Sequence, residues 1–125
     1  MPALPPEASQ AWEHRKGPVI LTTVDAQGMP NSIYATCVSK FDEETLVVAN
    51  NYFSKTLANI ESDSPASLLF ITGENAAYQV KGTISHHTQG PIFDDMKQWN
   101  PEKHPGHGAA ALTVETVFKG AEQLL

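Results

Sequence analysis

Six short runs of β-branched and apolar residues, each ended by polar or Gly/Pro turn residues, constrain this chain more than any other feature. They are PVILTTV (18–24), NSIYATCVS (31–39), TLVVA (45–49), ASLLFIT (66–72), AYQVKGTIS (77–85) and ALTVETVF (111–118). Runs of this length and make-up read as strands, and the Gly-containing DAQGMP between the first two marks a hairpin. Six mostly antiparallel strands in a chain of 125 residues will curl into a barrel, because closure removes exposed edges. TLVVA and ASLLFIT are continuously apolar, the pattern of strands covered on both faces.

Three other segments have a helical pattern. PPEASQAWEHRKG starts at prolines with Glu7 in its first turn, carries Arg15 and Lys16 in its last, and is followed by Gly17. A middle segment starts at Ser54, and PIFDDMKQW starts at Pro91 with Asp94 and Asp95 in its first turn. Three short helices cover part of the outer face of a sheet, and a second copy of the chain across a two-fold interface would cover the rest, so a homodimer is expected. A single domain, residues 1–125, accounts for the whole length.

Charge and hydropathy exclude several classes. The net charge is −6 with seven Lys and one Arg, which opposes extended contact with nucleic acid or anionic membrane. No apolar run nears the ~20 residues of a membrane span. The start MPALPPEASQ has no basic stretch leading into an apolar one, so a cytoplasmic protein is expected. Cys37 stands alone, cannot form an internal disulfide, and reads as buried strand core.

The middle helix has its charges in the wrong order. In NNYFSKTLANIESD (50–63), Ser54 takes the N-cap position, Lys55 and Thr56 open the first turn, Leu57 and Ile60 make the apolar face, and Glu61 and Asp63 lie at the far end. A cation at the positive end of the helix dipole costs a few tenths of a kcal/mol. A bound anion would reverse that sign, since free N–H groups, the Ser54 and Thr56 hydroxyls and the Lys55 ammonium would converge on it, and a phosphate is the natural candidate. The plain alternative is a capping Ser54 beside a solvated Lys55.

The order of strand, Gly turn, PNSIYATCV, DEETLVVANNYFSKTLANI, ASLLFI, AYQVKGTI and GPIFDDM, over residues 12 to 125, resembles the flavin mononucleotide (FMN)-binding split barrels related to pyridoxamine 5′-phosphate oxidase. KTLANI after a strand and a short polar loop is its most telling part. The resemblance implies a mainly β fold, a six-stranded antiparallel split β-barrel of Greek-key type with about three short helices. It implies FMN as cofactor, with Lys55 and Thr56 at the flavin phosphate beside Ser54. Asn31, Ser32, Ile33 and Tyr34 would lie along the flavin ring, and Ala49, Asn50 and Asn51 would line the site ahead of the helix. It also implies a dimer with the partner chain covering part of the ring. Ile33 and Tyr34 suit the faces of a flavin, and the Asn and Ser side chains suit its carbonyls and ring nitrogens. Singly, Asn50 and Asn51 also read as the turn before a helix and Tyr34 as a half-buried strand residue.

Arg15 is the only arginine and lies in the first helical segment, so the second phosphate of a vitamin phosphate substrate has no evident holder, and pyridoxamine 5′-phosphate oxidase activity itself is not expected. No catalytic acid or nucleophile with an orienting partner is evident; redox chemistry at a flavin needs none. His86, His87, His104 and His107 lack a metal-ligand spacing, because adjacent strand residues face opposite ways and HPGH sits on a Pro/Gly loop. Either pair could instead lie near the flavin edge. Trp12 and Trp99 read as core or interface anchors. The expected function is a redox flavoprotein, an electron carrier or an oxidoreductase; the alternative is a non-catalytic binding protein of the same fold holding haem or another phosphorylated ligand.

Overall fold

The computed structural model describes residues 2–125. The elements run α1 (Pro6–Glu13), β1 (Val19–Val24), β2 (Pro30–Ala35), β3 (Val38–Asp42), β4 (Thr45–Asn50), α2 (Lys55–Glu61), β5 (Pro65–Ile71), β6 (Ala77–His87), α3 (Pro91–Trp99), β7 (Gly108–Lys119) and β8 (Glu122–Gln123). All ladders are antiparallel, in the order β2-β1-β5-β6-β7-β4-β3, with β8 added beside β7.

This order forces the sheet to curl. β2 and β3 are the two edges, separated by six strand spacings of about 4.8 Å, or roughly 29 Å if the sheet were flat. Yet only Thr36 and Cys37 join them, and three residue steps reach at most ~10 Å. The edges must therefore come together, and they meet at a seam where β2 and β3 share no ladder among the described residues. The result is a split barrel. NSIYATCVS is thus not one strand, as its continuous pattern suggests, but the end of one edge and the start of the other. With β8, the described residues form eight strands rather than six.

The barrel is filled by Leu21, Leu46, Leu68, Phe70, Val80 and Val117, with Trp12 of α1 set edge-on against Phe70 at 5.1 Å and Phe70 stacked on Tyr78 at 5.6 Å. Trp12 is a core residue. A second cluster lies outside, where Met96 of α3 packs on Val47, Ala49, Ala109 and Ala111, with Trp99 half-buried beside it. β4 is therefore covered on both faces, as TLVVA suggests; the small alanines of β7 let α3 approach. β5 differs from expectation: its residues alternate between buried and more open, with Ser67 and Leu69 on the less buried face. α1 ends at Glu13, so Arg15 and Lys16 lie beyond it, Arg15 pairing with Thr72 in an isolated bridge. Asp94 but not Asp95 is in the first turn of α3.

Candidate functional site

A cavity of about 460 Å³ opens beside the seam, between β2, the β4–α2 connection and the first turn of α2. That is the size of a small-molecule site. Its polar end is the start of α2. Ser54 sits at the N-cap position, but its hydroxyl makes no capping bond and is exposed. The Lys55 side chain is 56% exposed, with Nζ 3.8 Å from Asp25 Oδ2. So loose and solvated a pair is worth little, and Lys55 can turn to another anion at small cost. The Asp25 carboxyl is itself held low chiefly by the N–H of Met29 and then by that of Gln27, with Lys55 adding least. Thr56 is buried; its Oγ1 accepts from Asn31 Nδ2 at 3.1 Å, which ties β2 to the helix. The face of α2 turned inward is Thr56, Asn59 and Ile60, and Asn59 donates to Thr23 Oγ1 at 3.0 Å, so Leu57 is only half-buried.

The remaining walls are apolar and aromatic. Ile33 and Ala35 share one face of β2, Ala49 ends the β4 contribution, and Phe53 precedes the helix. Tyr34 and Tyr52 are 77% and 73% exposed at the rim. Of the ten residues expected at the site, the cavity gathers Asn31, Ile33, Tyr34, Ala49, Asn51, Ser54, Lys55 and Thr56. Ser32 faces the other way, its hydroxyl 2.8 Å from that of Thr22, because strand side chains alternate.

Asn50 is buried and does not line the cavity. Its Oδ1 accepts from the Phe53 N–H at 3.0 Å, which turns Nδ2 toward His86 Nε2, 3.0 Å away. An NH₂ can only donate, so Nε2 accepts and the His86 proton resides on Nδ1. Gly108 makes room for this ring: a Cβ there would lie 2.3 Å from His86 Cε1. Burial holds the His86 pKa below its ordinary value, aided by the charge on His87 and opposed by Glu61. The unfolded chain therefore binds the extra proton first, and stability contributed by neutral His86 falls as pH drops from about 6.5 toward the depressed folded value. Urea unfolding at pH 7.5, 6.5 and 5.5 should show that loss, and His86→Gln should flatten it. The lowered carboxyls of Glu7, Asp25 and Glu43 add their own loss only at more acidic pH. An unchanged slope in the variant would remove His86 from the explanation.

Asn51 lines the cavity but spends its amide elsewhere. It exchanges both hydrogen bonds with Asn100, at 3.1 and 2.9 Å, and accepts the Gly106 N–H at 3.0 Å. With Lys97 Nζ on the carbonyls of Pro105 and Gly106, this anchors the loop after α3 and brings His104 to the cavity. His104 Nδ1 is 3.1 Å from Tyr52 Oη, the rings edge to face. Tyr52 and Phe53 are lining residues that sequence reasoning missed, and the aromatic pair inside NNYFSK was the available signal; His104, one of the histidines whose place the sequence left open, lines the cavity. Cys37, expected in strand core, is half-buried in the seam and also lines the cavity. His87 pairs with Ser85 and His107 is exposed, so the four histidines are dispersed. Arg15 donates to the Trp12 carbonyl at 2.8 Å and stacks on its ring, while Lys81 sits over Phe118; neither lines the cavity. No helix among the described residues is long and apolar enough to cross a membrane.

The family model described as pyridoxamine 5′-phosphate oxidase matches residues 5–119. An uncharacterized protein of Methanocaldococcus jannaschii is 28% identical over 106 residues, 80% of this chain and 70% of its own length. Among solved structures, a putative pyridoxamine 5′-phosphate oxidase of Lactobacillus delbrueckii is 22% identical, covers 93% of each chain and superposes with a TM-score of 0.77. The haem storage protein HutZ of Vibrio cholerae is 20% identical over 94% of this chain and 95% of its own, with a TM-score of 0.67.

Proposed function

Since this chain belongs to the pyridoxamine 5′-phosphate oxidase family, we propose that it is an FMN-binding redox flavoprotein, a small electron carrier or an oxidoreductase on a small substrate. The observation that carries this reading is the division of the cavity: Lys55 with the Ser54 and Thr56 hydroxyls at one end, Ile33, Ala35, Tyr34 and Tyr52 along the rest. A phosphate suits the first part and a flat, largely apolar ring the second. Bound FMN would supply hydride or electron transfer. Lys55, Ser54 and Thr56 would hold its phosphate, and the walls would set the ring's position and limit water. Oxidation of a vitamin phosphate is not proposed, because Arg15 is committed to Trp12 on another part of the surface.

Purified protein carrying oxidised flavin is yellow, and mass analysis of ligand released on denaturation identifies it. Lys55→Ala should weaken FMN binding about ten- to a hundred-fold, roughly 1.5 to 3 kcal/mol, and leave riboflavin nearly unaffected. Equal losses for both would move the phosphate elsewhere. The alternative reading is a binding protein of the same fold that holds haem, favoured by the His104 imidazole in the cavity wall; a haem spectrum in place of a flavin one would select it.

A homodimer and a cytoplasmic location belong to the same proposal. Tyr34 and Tyr52 stand exposed at the open rim, where a second copy would cover them and the ring together. Cofactor binding is then coupled to assembly by mass action. Sedimentation over a dilution series should find the FMN-loaded dimer dissociating at lower concentration than the stripped protein, and a monomer with undiminished FMN affinity would sink the shared site.

A further inference from the structure

A second cavity, about 390 Å³, lies on the other side of the seam, and Thr36, Cys37 and His104 line both. We propose that it is a subsite for small planar monocarboxylates, set directly beside the cofactor cavity; its role as a substrate site rests on the FMN reading, its ability to bind does not.

Charge points to an anion. The chain has fourteen Asp and Glu against eight Lys and Arg, yet among the described residues no acidic side chain lines either cavity, and the second is lined by Lys103 together with His104. Lys103 makes no ion pair among the described residues. Its neighbour Glu102 is not part of the lining. The exposed Lys103 ammonium at the edge of this cavity offers an anion the local attraction that a surface of net charge −6 denies it elsewhere.

The donor set selects a monoanion. One Lys, one His and the hydroxyls of Thr36 and Ser39 can satisfy a carboxylate. Unlike the first cavity, this one has among the described residues no helix start whose free N–H groups would complete a phosphate site beside a Lys, and Arg15 is elsewhere. The remaining walls are the flat and apolar surfaces of Trp99, Val38 and Pro101. Trp99 is held by its indole N–H, which donates to Asp95 Oδ2 at 3.3 Å, so it offers a positioned face to a planar ligand. His104 uses Nδ1 on Tyr52 and keeps Nε2 for the carboxylate.

The test is titration with benzoate, followed by calorimetry and tryptophan fluorescence, on FMN-loaded and on stripped protein. Benzoate should saturate, and neutral benzamide should bind at least about tenfold more weakly. Lys103→Met, on an exposed loop, should weaken benzoate about tenfold while leaving benzamide, thermal midpoint and FMN affinity unchanged. Equal affinity for benzoate and benzamide, no effect of Lys103→Met on benzoate, or displacement of benzoate by equimolar inorganic phosphate would each overturn the proposal. Lys103-dependent benzoate binding by a protein that takes up no FMN would sink the flavin reading and keep the subsite; FMN uptake without such binding would do the reverse.

Discussion

Gly82→Ala is expected to lower folding stability by about 4 kcal/mol or more, and the thermal midpoint by more than roughly 10 °C. A Cβ at this position would lie 1.8 Å from the Thr113 carbonyl oxygen and 2.9 Å from its carbon. Both are backbone atoms, so no rotamer change can relieve the overlap. The register of β6 on β7 shifts between Lys81 and Gly82, with Val114 facing Gly82 and Thr116 facing Lys81, so Glu115 is the extra residue of a bulge. This ladder joins the two halves of the curled sheet, β2-β1-β5 and β4-β3. Forcing it apart would loosen the curvature that closes the seam and shapes both cavities. Gly73→Ala is the control: nothing lies within 4 Å of a Cβ there, and a change within about 0.5 kcal/mol is expected. Urea unfolding of the two variants tests the pair, and equal stabilities would mean that the bulge yields freely.

Asn51→Leu should cost about 3 kcal/mol. It leaves a buried Asn100 amide with neither acceptor nor donor and takes the acceptor from the Gly106 N–H, at about 1 to 3 kcal/mol for each buried group left unpaired. Asn51→Leu/Asn100→Leu should be less damaging than the sum of the single changes, because removing both amides together leaves only the Gly106 N–H unpaired. Hydrogen exchange of that amide should accelerate in the single and the double variant alike. Strict additivity would mean that the amides act independently of one another. The same substitution releases the loop that carries His104 and Lys103, so it should also weaken whatever the two cavities bind.

Much of the fold was legible because its signals are local. Val19–Val24, Thr45–Asn50 and Ala77–His87 are strands within a few residues of where their β-branched runs and turn residues place them, and Pro91 starts α3 as an N-terminal proline should. Lys55 at the start of α2 was legible as an anomaly, since neither of the other helices opens on a cation. Ser32 does not line the cavity for a reason equally local: it alternates with Asn31 and Ile33 along β2 and its hydroxyl turns to Thr22, whereas Tyr34, on the same side of the strand, reaches the cavity only at its exposed rim.

Other features depend on residues far apart in the chain. NSIYATCVS reads as one strand because nothing within it marks the break at Thr36; the break follows from Ala35 and Val38 belonging to opposite edges of a curled sheet. Asn51 reads as a turn residue or a ligand contact because its reciprocal partner Asn100 lies 49 positions away. His104 reaches Tyr52 across 52 positions, by way of a loop whose Pro and Gly residues carry no period. Propensity, capping and alternation operate over a turn or a strand pair, so the chain itself determined its elements, its mainly antiparallel β class and the cationic start of α2. Closure brings together residues whose patterns are silent about each other, so the seam, the two adjoining cavities and the buried amides beneath them were decided only when the edges met.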